Sequence, residues 1–222
     1  MRGIVFTGGE GPSSEICRCL AGESHPSAIP ATNNGKTIIA AADSGLIAVE
    51  NAGLTADWIT GDMDSLDDQK RLEKYPADRI VRSPVDKDFT DTELAFSVLR
   101  EKGCDEIWLV GGGGGRIDHL FAIRSLFERE IFPCRWITAR EDIYCIEGPG
   151  ELNAGKSAGK SLVSVFPLGN GPWKATSRGL KWPLDNLVWD RGFFGVSNVA
   201  VDGPFSIKAE QGRFMVITPL EE

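Results

Sequence analysis

Residues 59–68 read ITGDMDSLDD, in which a short apolar run ends in a glycine and four aspartates follow within seven positions. Similar apolar runs recur up to about residue 140, and amphipathic stretches lie between several of them. These runs read GIVFTGG, KTIIAAADSG, DWITGD, RIVRSP, EIWLVGGGG and RWITA. Short apolar strands that alternate with helices are typical of βα units around a parallel sheet. The pattern predicts an α/β domain with a doubly wound, mostly parallel, Rossmann-like sheet.

Four amphipathic stretches between these runs predict helices at residues 45–53, 66–75, 91–102 and 117–130. The third carries the clearest local signals. Thr90 and Glu93 fit a capping box at its start, and Gly103 fits a helix terminator at its end.

The composition changes after about residue 147. The segment EGPGELNAGKSAGKS is rich in glycine and small polar residues, and short β-like runs punctuated by Gly, Pro, Asn and Asp follow it. These features predict a small all-β sandwich or barrel. We therefore expect two domains, residues 1–146 and residues 147–222.

Composition and charge narrow the class of partner. The chain has 222 residues, 41% of them hydrophobic, and a formal net charge of −8. An acidic chain has no basic field for nucleic acids or anionic membranes, so small molecules or proteins are the expected partners. The first apolar run is too short for a signal peptide, and the five cysteines form no C-x-x-C pair. We therefore expect a cytoplasmic protein without a disulfide framework or a zinc site.

Acidic residues collect at the ends of the predicted strands. Ligands of doubly wound sheets bind beyond the carboxyl ends of the strands. Carboxylates a few ångströms apart repel by about 4 kcal/mol per close pair at an effective dielectric constant near 20. Oxygen-rich clusters of this kind favour Mg²⁺, which also binds substrate phosphates. The seven aspartates that could face this edge are Asp43, Asp62, Asp64, Asp86, Asp88, Asp91 and Asp118.

The five glycines at 111–115 follow another predicted strand. Glycine backbone can approach an anion closely, and the helix that begins after it turns its positive end to the same anion. Arg116 would add a charge-assisted contact. The run fits neither a Walker A loop nor a G-x-G-x-x-G fingerprint.

Each of these features also has a structural interpretation. Asp43 alone could cap a helix, and the glycine run could be a flexible loop. We interpret Asp67 and Asp68 as first-turn helix residues rather than ligands. What favours function is that acidic or glycine-rich groups coincide at four strand ends.

Together these motifs resemble the thiamin pyrophosphokinase family. The motifs are AADSG, GDMDSL, DKDFTDTELA and GGGGGRIDH, followed by GLKWPL at 179–184 and GVSN at 195–198. Met63 stands where the family pattern has phenylalanine.

The resemblance implies transfer of a pyrophosphoryl group from ATP to thiamin, which yields thiamin diphosphate and AMP. It also implies an α/β domain followed by a small β domain, and a homodimer with active sites between subunits. The implied metal and pyrophosphate ligands are Asp43, Asp62, Asp64 and Asp88, with Asp91 nearby as a catalytic residue. The implied ATP contacts are Asp43, Gly114, Gly115, Arg116 and Asp118. The implied thiamin contacts are Ser197, Asn198 and Trp189.

In the mechanism that this resemblance suggests, Mg²⁺ held by Asp62, Asp64 and Asp88 bridges the β- and γ-phosphates. One aspartate of the cluster orients or deprotonates the thiamin hydroxyl. Two other functions remain open at this point. One is a haloacid-dehalogenase-like phosphatase with Asp62 as nucleophile and Asp64 as acid. The other is a non-catalytic sensor that binds Mg-nucleotide without turnover.

Overall fold

The structure is a computed structural model that describes residues 1–22, 37–66, 68–84, 88–155, 161–201 and 203–221. Asp67 and Asp86 lie outside the described residues. The chain forms two compact units. Unit 1 comprises Met1–Leu126 and Trp136–Arg140, and unit 2 comprises Phe127–Arg135 and Glu141–Glu221. The division into functional domains at residues 146 and 147 stays a prediction.

Unit 1 alternates strands and helices as the apolar pattern predicts. Its elements are β1 (Arg2–Thr7), α1 (Ser14–Ala21), β2 (Thr37–Ala42), α2 (Gly45–Asn51), β3 (Trp58–Gly61), β4 (Ile80–Arg82), α3 (Asp91–Glu101), β5 (Glu106–Gly111), α4 (Ile117–Leu126) and β6 (Arg135–Ile137).

The strands of unit 1 lie in the order β6-β5-β1-β2-β3-β4. The pairs of β1 with β2, β1 with β5, β2 with β3 and β3 with β4 are all parallel. Every residue of the central strand β1 is buried, as expected where helices cover both faces of a parallel sheet. The chain leaves β1 toward β2 on one side and reaches β5 on the other, which makes β1 the switch point of a doubly wound sheet. The predicted fold class is confirmed.

The third predicted helix is also confirmed in detail. α3 begins with the capping box in which Thr90 accepts from the backbone N–H of Glu93 and Glu93 accepts from that of Thr90. Gly103 follows its end in the left-handed region, with φ of 84°. α2 and α4 also form, although α4 ends at Leu126 rather than at residue 130.

The helix predicted at residues 66–75 is wrong. A 3-10 helix at Gln69–Lys74 stands there, with Asp68 as its cap. The Asp68 carboxylate accepts from the N–H of Lys70 at 2.9 Å, which confirms its interpretation as a helix-start residue. Pro76 follows closely and prevents a longer helix. α1 was not predicted, although Ser13 caps it through the N–H of Ile16.

The described residues of unit 2 form seven antiparallel strands, as predicted for an all-β region. They are β7 (Glu141–Glu147), β8 (Gly150–Ala154), β9 (Leu162–Leu168), β10 (Lys174–Arg178), β11 (Gly195–Val199), β12 (Phe205–Gln211) and β13 (Arg213–Pro219). One sheet has the order β11-β9-β13-β7 and the other β10-β12-β8. Alternate residues of both sheets, such as Val163 and Val165 of β9 and Ile207 of β12, share one buried core. Unit 2 is therefore a β-sandwich.

Candidate active site

Three aspartates come together beyond the carboxyl ends of β2 and β3. One carboxylate oxygen from each of Asp43, Asp62 and Asp64 lies within 4.8 Å of one from each of the other two. Asp43 directly follows β2, and Asp62 directly follows β3. Because these strands are parallel neighbours, they end at the same edge of the sheet. The expectation that these carboxylates meet at this edge agrees with their positions in the structure.

This group fits a hard cation. Oxygen ligands lie about 2.0–2.1 Å from Mg²⁺, so opposite ligands are at most about 4.2 Å apart. The three oxygens all lie within 4.8 Å of one another, which is close to this separation. Asp43 and Asp62 are half-buried and Asp64 is exposed, so the group remains open to a phosphate ligand on one side.

The backbone of the Asp62–Asp64 turn is held in an unusual conformation. Within the described residues, only three that are not glycine have positive φ, and they are Asp43 at 47°, Met63 at 67° and Ser197 at 58°. All three lie in motifs that the sequence singled out, and such conformations persist where surrounding contacts hold them. The Met63 side chain is fully buried, and its N–H donates to Oδ1 of Asp43 at 3.2 Å. The buried methionine therefore anchors a turn that presents one carboxylate on each side.

Asp91, the first residue of α3, completes the acidic site. Its carboxyl group lies close to that of Asp43 and acts on the pKa of Asp43. Both carboxyl groups lie over Gly61, where an added Cβ would be 2.1 Å from Oδ1 of Asp43 and 3.2 Å from Cγ of Asp91. Gly61 also has φ of 134°. Glycine is required here because the two carboxyl groups occupy the space of a side chain.

The proximity of these groups changes the protonation of Asp43. Its pKa is raised from 3.8 to about 7, first by burial, then by the hydrogen bond with Asp91 and its charge. The charge of Asp62 adds a smaller contribution, and the Met63 N–H opposes the shift. Two carboxyl groups that share a hydrogen bond hold one proton between them when no cation balances their charge. A divalent ion would replace that proton.

Asp88, another of the implied ligands, is exposed. Within the described ranges, the carboxylate group that could hold an ion consists of Asp43, Asp62 and Asp64, and Asp88 is outside it.

Most of the glycine run packs against neighbouring strands and loops. An added Cβ would lie 2.3 Å from the Thr7 carbonyl oxygen at Gly111 and 2.8 Å from the Glu10 carbonyl oxygen at Gly113. At Gly114 it would meet the Glu10 side chain. At Gly115, with φ of 64°, nothing lies within 4 Å. The first glycines therefore allow close packing, and Gly115 is the one with open space for a ligand.

Arg116 and Asp118 form an exposed bidentate pair. Nε of Arg116 lies 3.1 Å from Oδ1 of Asp118, and Nη2 lies 2.6 Å from Oδ2. The hydrogen bond from Arg116 lowers the pKa of Asp118. A guanidinium has five N–H groups, so Arg116 keeps donors for an anion while Asp118 fixes its plane.

In unit 2, Asn198 has a structural task that the sequence did not reveal. Its side chain is buried and bonds the backbone of Trp182 in both directions, with Nδ2 donating to the carbonyl oxygen at 2.7 Å and Oδ1 accepting from the N–H at 3.2 Å. Oδ1 also accepts from the N–H of Val199 at 2.8 Å. The neighbouring Ser197 is exposed, and its N–H donates to Oγ of Ser164. Asn198 therefore ties the GLKWPL segment to the GVSN segment.

The two tryptophans of this region differ in exposure. Trp182, held by Asn198, has 53% of its surface exposed. Trp189 has only 8% exposed and packs edge-on against Phe214, with ring centroids 5.1 Å apart. It belongs to the core of unit 2. The family resemblance implies Trp189 as a thiamin contact, whereas the structure exposes Trp182 to solvent. The only sequence signal for Trp182 is its place in the GLKWPL motif.

Comparison with known proteins identifies the family of this chain. Residues 30–133 match the family model described as thiamin pyrophosphokinase, catalytic domain, and residues 151–214 match the one described as thiamin pyrophosphokinase, vitamin B1 binding domain. A thiamine pyrophosphokinase of Bacillus subtilis is 31% identical over 150 residues, which are 65% of this chain and 69% of that protein. The chain belongs to the thiamin pyrophosphokinase family. It is accordingly an enzyme of the transferase class.

Solved structures share the fold of this thiamin pyrophosphokinase family member. A thiamine pyrophosphokinase from Bacillus subtilis superposes with a TM-score of 0.76 at 22% identity, covering 100% of both chains. A thiamin pyrophosphokinase from Candida albicans superposes with a TM-score of 0.73 at 14% identity, covering 99% of this chain and 89% of that one. At these identities the likeness concerns the fold.

Proposed function

We propose that this chain transfers a pyrophosphoryl group from ATP to thiamin in a Mg²⁺-dependent reaction that yields thiamin diphosphate and AMP. The carboxylate group formed by Asp43, Asp62 and Asp64 carries the proposal, because it stands at the carboxyl edge of the sheet in the region that matches the catalytic domain. The match to a vitamin B1 binding domain supports thiamin as the acceptor.

Asp43, Asp62 and Asp64 would hold the metal ion, and Asp88 stays a prediction as a further ligand. When bound, Mg²⁺ would neutralise phosphate charge as AMP leaves. The residues themselves would fix the positions of the phosphates relative to the thiamin hydroxyl, which supplies much of the acceleration in phosphoryl transfer. One aspartate of the site, such as Asp91, would orient or accept the proton of that hydroxyl.

The segment after β5 is the proposed ATP side. Gly115 and the preceding Gly114 would bring backbone N–H groups to a phosphate, and Arg116 would add its remaining donors. Asp118 would hold Arg116 in place, as its two hydrogen bonds to the guanidinium indicate.

We place thiamin against the exposed part of unit 2. Ser197 is exposed and offers a hydroxyl, and Trp182 offers an aromatic face. The ammonium of Lys181 lies 4.5 Å from the centre of the Trp182 ring, so this ring already takes part in a cation–π contact. Thiamin carries a positive thiazolium ring, which suits an aromatic face. Asn198 would position Trp182 through its hydrogen bonds to the Trp182 backbone. Trp189 would support this region of unit 2 from the buried core.

We further propose a homodimer. β11 stands at the end of its sheet, and Val196 of β11 is 53% exposed. Phe194 and Val188 nearby are 51% and 84% exposed. Exposed apolar side chains at a strand edge are typical of an interface. Light scattering should give twice the chain mass, and Val196→Glu should lower it to that of one chain.

We propose the cytoplasm as its compartment, which the five cysteines support, because the structure pairs none of them in a disulfide and thiols persist in a reducing environment. Separately, no helix in the described part of the chain is long and apolar enough to cross a membrane.

The decisive experiment incubates the purified protein with Mg-ATP and thiamin and quantifies AMP and thiamin diphosphate. Both products should form in equal amounts, and neither should form without thiamin or with excess EDTA. Phosphate release from generic phosphoesters without AMP would instead favour the haloacid-dehalogenase-like phosphatase. That alternative already conflicts with the fold, because its D-x-D motif follows the first strand and here the motif follows β3. Binding of Mg-ATP without any turnover would favour the sensor.

A further inference from the structure

Three hydroxyl groups from different strand ends hold the first turn of α3. Thr7, the last residue of β1, shares a buried 2.7 Å hydrogen bond with the hydroxyl of Thr92. Thr60 of β3 donates its hydroxyl to the carbonyl oxygen of Asp91 at 3.1 Å. Ser83, which follows β4, donates its hydroxyl to Oδ1 of Asp91 at 3.0 Å. The Thr60 contact holds the backbone of Asp91, and the Thr7 contact holds the neighbouring Thr92. The Ser83 hydroxyl, in contrast, reaches the Asp91 carboxylate itself.

Ser83 is also tied to the floor of the acidic site. Its backbone N–H donates to the carbonyl oxygen of Gly61 at 3.2 Å. Gly61 is the residue over which the carboxyl groups of Asp43 and Asp91 lie. The Ser83 hydroxyl therefore approaches Asp91 from a backbone that is fixed relative to both carboxyl groups. A terminal carboxylate rotates readily about its last bond, and a hydrogen bond to one of its oxygens removes that freedom.

We propose that Ser83 is a positioning residue, which orients the Asp91 carboxylate against Asp43 and through Asp43 sets the geometry of the three-carboxylate group. This role rests on the function proposed above. The family resemblance and the sequence motifs do not include Ser83. Asp91 stands beside Asp43 as its outer partner, and loss of such a partner's orientation commonly costs 10–100-fold in metal affinity or activity.

The test compares Ser83→Ala with Ser83→Thr, which keeps a hydroxyl. Threonine suits this position because the residue before a proline, here Pro84, prefers the extended backbone that β-branched side chains tolerate. Ser125→Ala is the matched control. It removes an exposed hydroxyl on α4 that bonds the Phe121 carbonyl oxygen, away from the acidic site.

Ser83→Ala should lower kcat about tenfold or more and raise the Mg²⁺ concentration for half-maximal activity by a similar factor, with the thiamin KM changed less than twofold. Ser83→Thr should recover most of both values, and Ser125→Ala should match the wild type. An unchanged Ser83→Ala enzyme would overturn the proposal. So would a Ser83→Thr enzyme as impaired as Ser83→Ala, because the hydroxyl would then not be what matters.

A second measurement needs no turnover. Mg²⁺ alone should raise the thermal midpoint of the wild type, and Ser83→Ala should need about tenfold more Mg²⁺ for the same rise. If the wild type formed no AMP, the proposed function would fail and this titration would decide the role of Ser83. If the thermal midpoints of the wild type and Ser83→Ala then rose at the same Mg²⁺ concentrations, the positioning role of Ser83 would be overturned.

Discussion

The carboxyl groups of Asp43 and Asp91 lie side by side over Gly61, although Asp43 follows β2 and Asp91 begins α3. The absence of a side chain at Gly61 makes room for both groups. Two carboxyl groups in such contact are stable with a shared proton or a bound cation, and with neither they repel. The site is therefore balanced between binding protons and binding a metal ion.

This balance predicts a pH dependence of stability in the metal-free protein. Asp43 has a pKa of about 7 in the folded state against an ordinary value of 3.8. Between these values the folded state binds more protons than the unfolded state, so the free energy of unfolding should fall as the pH rises from about 4 to about 7. Urea unfolding in EDTA at several pH values would measure this. Asp43→Asn should flatten the profile in this range, and an equally steep profile for that variant would contradict the assignment.

Removal of one carboxylate of the proposed metal site should stop the proposed reaction. Asp62→Asn keeps the size of the side chain but loses its charge, so AMP formation from ATP and thiamin should nearly vanish. Its circular dichroism spectrum and thermal midpoint should stay close to those of the wild type, because Asp62 is only half-buried and asparagine keeps an Oδ1 that can accept the N–H of Asp64. Turnover comparable with the wild type would refute the metal site.

Met63 should matter for stability rather than for chemistry. Its side chain is fully buried, and it stands between Asp62 and Asp64 in the chain. Met63→Ala should lower the free energy of unfolding by about 2–5 kcal/mol, as other buried truncations do, and Met63→Leu should cost less than about 1.5 kcal/mol. Urea denaturation measures both values. A stable Met63→Ala protein would show that the turn does not depend on this anchor.

Trp182 and Trp189 should respond in opposite ways to substitution. Trp182→Ala should raise the thiamin KM by about tenfold with little loss of stability, since base-like rings stacked on aromatic faces gain about 1–3 kcal/mol. Trp189→Ala should instead lower the free energy of unfolding by about 3–5 kcal/mol because it opens the core. Steady-state kinetics and urea unfolding distinguish the two. A raised thiamin KM for a fully folded Trp189→Ala enzyme would reverse the assignment.

Ser197→Ala tests the thiamin side of the proposal. Loss of the exposed hydroxyl should raise the thiamin KM severalfold more than the ATP KM, in the range expected for one lost hydrogen bond of about 0.5–1.5 kcal/mol. Ser164→Ala is a useful comparison. It removes the hydroxyl that accepts the backbone N–H of Ser197, but the Ser197 hydroxyl itself remains. Equal effects of Ser197→Ala on both substrates would argue against thiamin at this surface.

The parts of this protein that follow from local patterns were predictable. Apolar runs ending in Asp43 and Asp62 predicted adjacent strand ends, because parallel strands share an edge and ligands collect there. The Thr90–Glu93 capping box predicted the start of α3, because both of its bonds form within one turn. At residues 66–75 two local signals, the cap at Asp68 and the following Pro76, limit the segment to a 3-10 helix at Gln69–Lys74, and the longer helix predicted there is wrong.

Other features depend on contacts between residues far apart in the chain. The order of residues does not show that Ser83 donates to Asp91 or that Asn198 holds Trp182. Nor does it show that residue 61 is a glycine because two carboxyl groups occupy the space of a side chain there. Sequence patterns report which side chains are near in the chain and which face they share. The orientation of a carboxylate or an indole ring depends on packing and hydrogen bonds from several strands at once, and these exist only when the chain has folded.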